Sequence, residues 1–278
     1  MAHETSPEPL AAQVTDLQQQ LTQARAQLEK YASDLRTSWE REQERAQQLQ
    51  ATNQQLQAFA KDLKVAYDAE KRKSHELEQS HYASMLRLNQ AMRYKDDESA
   101  AHIERMSHYA KAIALHLDLG ETQAQLISSA APMHDVGKIG IPDAILLKKG
   151  PLSPEEWRTM KKHPALGASL LKGTPSPLLD TAGKIALTHH ERWDGSGYPQ
   201  GLKGEDIPLP GRIIMIADQY DALRSPRPYK PAFTHERTYD IILNGDGRTL
   251  PQHFEPQLLD VFRDIHRDLG AIYNRLHD

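Results

Sequence analysis

"MHDVGKIGIPD" (residues 133–143) sets His134 directly before Asp135, with Lys138 three positions further on. A neutral imidazole and a carboxylate are the nitrogen and oxygen donors that bind first-row divalent metals without thiolate, and this chain has no cysteine. A carboxylate has two oxygens and can bridge two ions, while the Lys138 ammonium can neutralise a phosphate oxygen. A lone His–Asp pair on a protein surface would carry little weight, so its meaning depends on what the rest of the chain brings to it.

Several other segments bring matching donors. Glu98 and His102 stand four apart, on one face of a predicted helix. His163 precedes Pro164, which is expected to end a helix there and leave the imidazole at its terminus. His189 and His190 close another predicted helix just ahead of "DGSGYP" (194–199). Asp218 follows the apolar run "IIMIA" (213–217), where a carboxylate is costly to bury unless paired or metal-bound. Five histidines and three carboxylates thus come from separate helices, the usual way to assemble a metal cluster inside a helical core. Successive helical side chains point ~100° apart, so adjacent His189 and His190 are expected to serve different ions. Gly195 and Gly197 are expected to turn the chain tightly and carry Tyr198 to the cluster.

Helical periodicity covers segments near 97–118, 122–134, 154–163, 178–190, 210–223, 234–243 and 255–276. "SPEE" (153–156) makes a strong helix start, with Ser153 as N-cap, Pro154 at the first position and Glu156 as capping-box partner. No alternating strand pattern, P-loop or GxGxxG is present, so the expected fold class is all-α.

The amino-terminal third follows different rules. No glycine precedes Gly120 and no proline lies between Pro9 and Pro132. Val14, Leu21, Leu28, Leu35, Leu49, Leu56, Leu63 and Leu77 share one seven-residue register, with Leu10, Leu17, Ala24, Tyr31, Phe59 and Ala66 at the companion positions. This 3–4 spacing is the coiled-coil pattern, weakened at Glu42, Arg45, Glu70 and Lys73. The expected organisation is a short disordered tail (1–9), a coiled-coil helix (10–92) that pairs as a parallel homodimer, and an all-α domain (93–278) that carries the candidate donors. A solvated single helix or a disordered Gln-rich segment is the plainer alternative for the second segment.

The net charge of −4 is spread without a basic excess in either region, which argues against a nucleic-acid polymer as partner. No amino-terminal signal pattern and no apolar run near the ~20 residues of a membrane span is visible. A cytoplasmic protein without membrane insertion is the expectation.

Taken in order, "HDVGKIGIPD", "HHERWDGSGYPQGLKGEDIPLPGRI" and "IADQYDALRSPRPYK" resemble the HD-GYP family of bacterial phosphodiesterases, within the HD metal-phosphohydrolase superfamily. The likeness covers about residues 93–265 and leaves the coiled coil outside. It implies an HD-type helical bundle that hydrolyses cyclic di-GMP to pGpG or GMP at two or three divalent ions, most often iron, with manganese or another first-row metal as alternatives. His102, His134, Asp135 and Asp218 match the superfamily's metal quartet. His163 and His189 match ligands of a second ion, bridged by Asp135, and Glu98 and His190 match positions tied to a third. Lys138 matches a phosphate-contacting lysine, Arg227 and Lys230 match substrate-binding cations, and Tyr198 belongs to the namesake loop. Asp135 and Lys138 are thereby the expected catalytic residues, with a hydroxide shared between ions as nucleophile. "ESAAH" (98–102) lacks the glycine usual between that Glu and His, and Pro226 stands where an acidic residue is common.

Other readings stay open at this level: a hydrolase for a mixed GMP–AMP cyclic dinucleotide, or a non-catalytic signalling adaptor that binds a nucleotide or a partner protein. His108 and His116 read as ordinary helix histidines. His235 and His253 read as capping or hydrogen-bonding residues. Asp221 shares a helix face with Asp218 and is expected to support the site rather than ligate, and Asp194 suits either such support or an Asx turn.

Overall fold

The computed structural model describes residues 8–92, 95, 99–173, 175–226 and 231–276. They form α1 (Glu8–Met92), α2 (Ala100–His116), α3 (Gly120–Ala130), α4 (Asp143–Leu146), α5 (Pro154–Met160), α6 (His163–Leu171), α7 (Pro177–Thr188), α8 (Leu209–Arg224), α9 (His235–Asn244) and α10 (Pro256–Arg275). Short 3₁₀ turns lie at Ala131–Met133, Val136–Gly140, Gly204–Asp206 and Pro251–His253. Among the described residues there is no strand, and the fold is all-α, as expected. No helix among them is long and apolar enough to cross a membrane.

The chain divides into two compact units, Met1–Lys73 and Ser74–Asp278. In the first, the described residues are helical from Glu8 onward, and the seam leucines stand open to solvent, Leu28 by 68% and Leu35 by 71%. An apolar stripe left this exposed along a helix has no packing partner within its own unit.

In the second unit α2, α3, α7, α8 and α10 enclose one core. Met106, Tyr109, Ile113, Ile127, Ile185, Ile213, Ile214, Tyr220 and Phe262 are all but fully buried in it, and Met85 from the end of α1 joins them. Helix starts follow their caps: Ser99 accepts the His102 N–H and Thr234 the Arg237 N–H. Ser153 and Glu156 form the expected capping box.

One expected boundary differs. Pro164 does not end a helix: α5 stops at Met160, and His163 and Pro164 open α6. Proline suits a first turn, where its missing N–H would have had no helical partner. His163 is therefore held at a helix start, and α6 packs against α7 and the Val136–Gly140 turn.

Candidate metal centre

His134 and Asp135 lie where the chain passes from one 3₁₀ turn to the next, between Met133 and Val136. His102 projects from the first turn of α2, His163 from the start of α6 and Asp218 from α8. His189 is the C-cap of α7 and His190 follows it. Two donor sets result. His102, His134 and Asp218 form one, and Asp135, His163, His189 and His190 form the other, with the donor atoms of each set within 4.8 Å of one another.

Asp135 reaches both sets. Its Oδ1 stands 3.0 Å from His163 Nε2 and 3.4 Å from His189 Nε2, while Oδ2 stands 3.4 Å from His134 Nε2 and 2.9 Å from Lys138 Nζ. Burial opposes ionisation of this carboxyl, but Lys138, His134 and His163 outweigh it and hold the group well below the usual carboxylate range. Burial also lowers the His189 and His190 imidazoles, His190 the further, so both favour the neutral form that ligates.

The tautomers can be read from the outer nitrogens. Nδ1 of His134 faces the Ala131 carbonyl at 3.0 Å, that of His163 the Met160 carbonyl at 2.9 Å, and that of His189 the Ile185 and Ala186 carbonyls at 3.1 Å. His102 Nδ1 faces Asp221 Oδ2 at 2.8 Å. These oxygens accept, so each Nδ1 carries the proton and each Nε2 presents a lone pair. The Nε2 atoms then converge, 3.4 Å apart for His102 and His134 and 3.5 Å for His163 and His189. Asp135 Oδ1, buried among them, receives no hydrogen bond. Lone pairs crowded against an ionised carboxylate repel one another unless cations lie between them, so the residues fit divalent metal.

His189 and His190 fall in the same donor set, their rings 4.0 Å apart and tilted by 42°. His189, the C-cap of α7, keeps helical backbone angles, so the two side chains still leave the chain in different directions. Beyond them the chain doubles back. Tyr198 N–H donates to the His190 carbonyl at 3.1 Å, and the Tyr198 ring stacks on the His190 ring with centroids 4.7 Å apart. A Cβ on Gly197 would come within 2.6 Å of the His190 carbonyl oxygen, so this return requires glycine. Burial raises the Tyr198 hydroxyl's pKa, and the ring also faces Trp157 at 6.1 Å and Lys161 Nζ at 5.9 Å.

Three residues expected at the site, Glu98, Arg227 and Lys230, lie outside the described residues. Asp221 supports His102, as its helix position implied. Asp194 Oδ1 accepts the Ser196 N–H at 2.9 Å, an Asx turn. His108, His116, His235 and His253 join neither donor set. Sequence reasoning missed Arg105, which grips Asp221, and Glu191, buried at 1% exposure with its carboxylate on two loop amides.

The HD domain family profile matches residues 83–250, more than half of the chain. The chain belongs to the HD domain family, in its HD-GYP branch. Among relatives, a cyclic di-GMP phosphodiesterase of Vibrio cholerae is 45% identical over 198 residues, covering 66% of this chain and 39% of the relative. A 3′3′-cGAMP-specific phosphodiesterase 2 of the same organism is 41% identical over 191 residues, covering 69% of this chain and 36% of the relative. The HD-GYP chain thus spans less than half the length of either. A solved structure of a cyclic GMP-AMP specific phosphodiesterase from V. cholerae shares the fold at a TM-score of 0.50 and 18% identity, covering 71% of this chain and 51% of that one.

Proposed function

We propose that this HD-GYP domain is a metal-dependent phosphodiesterase that opens cyclic di-GMP to pGpG and can cut onward to GMP. The observation that carries the reading is Asp135 with one oxygen toward each of two donor sets whose Nε2 lone pairs converge. Two divalent ions bound there supply Lewis acidity toward a phosphodiester and make water a nucleophile at neutral pH. Iron is the expected metal, with manganese next, and a third ion would draw on His190 and Glu98.

The chain's own groups divide the remaining work. Asp135 fixes the spacing of the two donor sets. Lys138, at 18% exposure, presents an ammonium beside Asp135 that offsets the charge of an incoming phosphate. Tyr198, stacked on His190, walls the site on the side of the glycine-rich loop and offers a ring face to a base. Arg227 and Lys230 are the expected substrate-binding cations. Outside the domain, the open seam of residues 10–92 serves a homodimer and receives a signal from a partner protein, in a cytoplasmic setting.

Anaerobically prepared protein and its His134→Ala variant, compared by elemental analysis and product chromatography, test the reading. Two or more ions per chain with pGpG formation support it, and active wild type with fewer than two overturns it. The relative named for 3′3′-cGAMP keeps a second substrate in view, since identities of 45% and 41% do not separate the two specificities. Competition between cyclic di-GMP and 3′3′-cGAMP decides which dinucleotide is preferred.

A further inference from the structure

Asp221 and Arg105 are both enclosed, with side chains 1% and 3% exposed. Arg105 grips the carboxylate at two points, Nε on Oδ1 at 2.7 Å and Nη2 on Oδ2 at 2.9 Å. Its other arm, Nη1, donates to the Leu276 carbonyl at 2.9 Å, and the guanidinium lies 4.8 Å from the centre of the Tyr273 ring. The Tyr273 hydroxyl donates to the Arg224 carbonyl at 2.7 Å, which ties the end of α10 to the end of α8. Asp221 Oδ2 then takes the proton of His102 Nδ1 at 2.8 Å.

Outer support therefore differs at one donor of the first set, His102. His134, His163 and His189 each lean on carbonyls three or four residues upstream, so their orientation is local to their own turn. His102 leans on a carboxylate 119 residues away in the chain, itself set by an arginine and the end of the last helix. A forked arginine contact fixes the plane of a carboxylate. A carboxylate-backed imidazole is a better metal donor, and losing such outer support costs about 10- to 100-fold in metal affinity. Without its arginine, the buried Asp221 would hold an unpaired charge and would not stay aligned on His102.

We propose that Arg105 is a positioning residue for the His102–His134–Asp218 set alone, acting through Asp221, so that this set depends on the end of α10 and the Asp135–His163–His189–His190 set does not. The inference rests on the metal-dependent reading above, and the two fail in different ways.

Full-length protein stripped by chelator is titrated with Mn²⁺, counting bound ions by equilibrium dialysis and recording electron paramagnetic resonance. Wild type is expected to take two ions with a coupled-pair spectrum. Arg105→Met is expected to hold one, giving an isolated-ion spectrum, with the other ion weakened about 10- to 100-fold; Arg105→Lys recovers part of the loss. Adding His102→Ala to Arg105→Met removes no further ion, whereas adding His163→Ala does. Asp221→Asn cannot satisfy both His102 and Arg105 and decides the matter if Arg105→Met fails to fold. Equal loss of both ions, or two ions kept at wild-type affinity, overturns the proposal. Wild type that takes up no Mn²⁺ overturns the metal-dependent reading with it.

Discussion

Glu191 accepts the backbone N–H of Gln200 at 2.6 Å through one carboxylate oxygen, and the second oxygen accepts that of Leu202 at 3.0 Å. A buried carboxylate thus closes the loop that carries Tyr198 back over His190. In Glu191→Gln one oxygen becomes an amide nitrogen facing a backbone donor, leaving a buried N–H unpaired at a cost of about 1–3 kcal/mol. The expected result is faster hydrogen exchange at Gln200 and Leu202, a lower unfolding midpoint and a raised KM. Unchanged exchange at both amides would show that the carboxylate does not hold the loop.

Gly137 lies between the donor Asp135 and Lys138, and a Cβ there would fall 1.9 Å from the His163 carbonyl oxygen and 2.4 Å from the Gly167 nitrogen. Both are backbone atoms and cannot swing aside. Gly137→Ala is expected to push α6, and His163 with it, off Asp135, destabilising by about 1–3 kcal/mol or more and costing bound metal. Gly183 makes the control, since its nearest neighbour would be Leu171 Cβ at 3.9 Å inside α7. Gly183→Ala should stabilise by about 0.4–1 kcal/mol by restricting the unfolded chain. Denaturant melts and metal counts on the two variants separate close approach from helix propensity.

The convergence of the candidate donors was legible because five imidazoles and three carboxylates recur on separate helical segments within motifs that resemble one family, although each alone has ordinary structural uses. Asp221 could be placed behind them because it follows Asp218 by one helical turn. Glu191 gave no such signal, since its partners are backbone amides that any residue but proline at 200 and 202 supplies. Arg105 was hidden for a different reason. It shares the face of His102, but Asp221 and Leu276 meet it only when α8 and α10 pack on α2. The helix at His163–Leu171 was missed because a proline that ends one helix and a proline that opens the next look alike in one dimension.

His235 carries a pH response away from the metal donors. Its Nδ1 meets the Tyr220 hydroxyl at 2.9 Å and its Nε2 meets His266 Nδ1 at 2.9 Å, joining α8, α9 and α10. Burial lowers both imidazoles below the ordinary 6.5, with His266 and Arg224 adding to the effect on His235, Glu236 opposing it, and Arg267 adding to the effect on His266. A depressed folded-state value means that the unfolded chain takes up the proton first. Stability is therefore full above pH 6.5 and declines as pH falls from there toward the folded-state values. His266→Gln should flatten the part of this slope that the pair contributes, read as the difference from wild type in urea melts at several pH values. Identical slopes in the two proteins would rule the pair out.

Chelation should expose how much the fold relies on bound ions. Without cations the convergent Nε2 lone pairs and Asp135 Oδ1 face one another across the centre. An ion that binds the folded chain alone stabilises it by about 2.7 kcal/mol per site at one hundred times its Kd. Stripped protein should melt at a lower temperature and recover on addition of Mn²⁺, with His134→Ala recovering less. A melting temperature indifferent to chelator and to Mn²⁺ would mean that the donors are not a metal centre.

The exposed seam of α1 allows a test that leaves the second unit intact. Leu49, Leu56 and Leu63 are 64%, 59% and 59% exposed, so lysine at these positions removes no buried side chain among the described residues. In a two-stranded coiled coil each would be a core knob, and ammonium groups at three neighbouring heptads would bury unpaired charge against their like on the partner helix and break the middle of the seam. Most helical stability in proteins comes from packing an apolar face rather than from intrinsic propensity, so loss of the partner should also lower the helical signal of this segment. Leu49→Lys/Leu56→Lys/Leu63→Lys is therefore expected to sediment as a monomer, with reduced ellipticity, while the metal content of the second unit stays at the wild-type value. A variant that keeps the wild-type mass in solution would place the interface outside the seam.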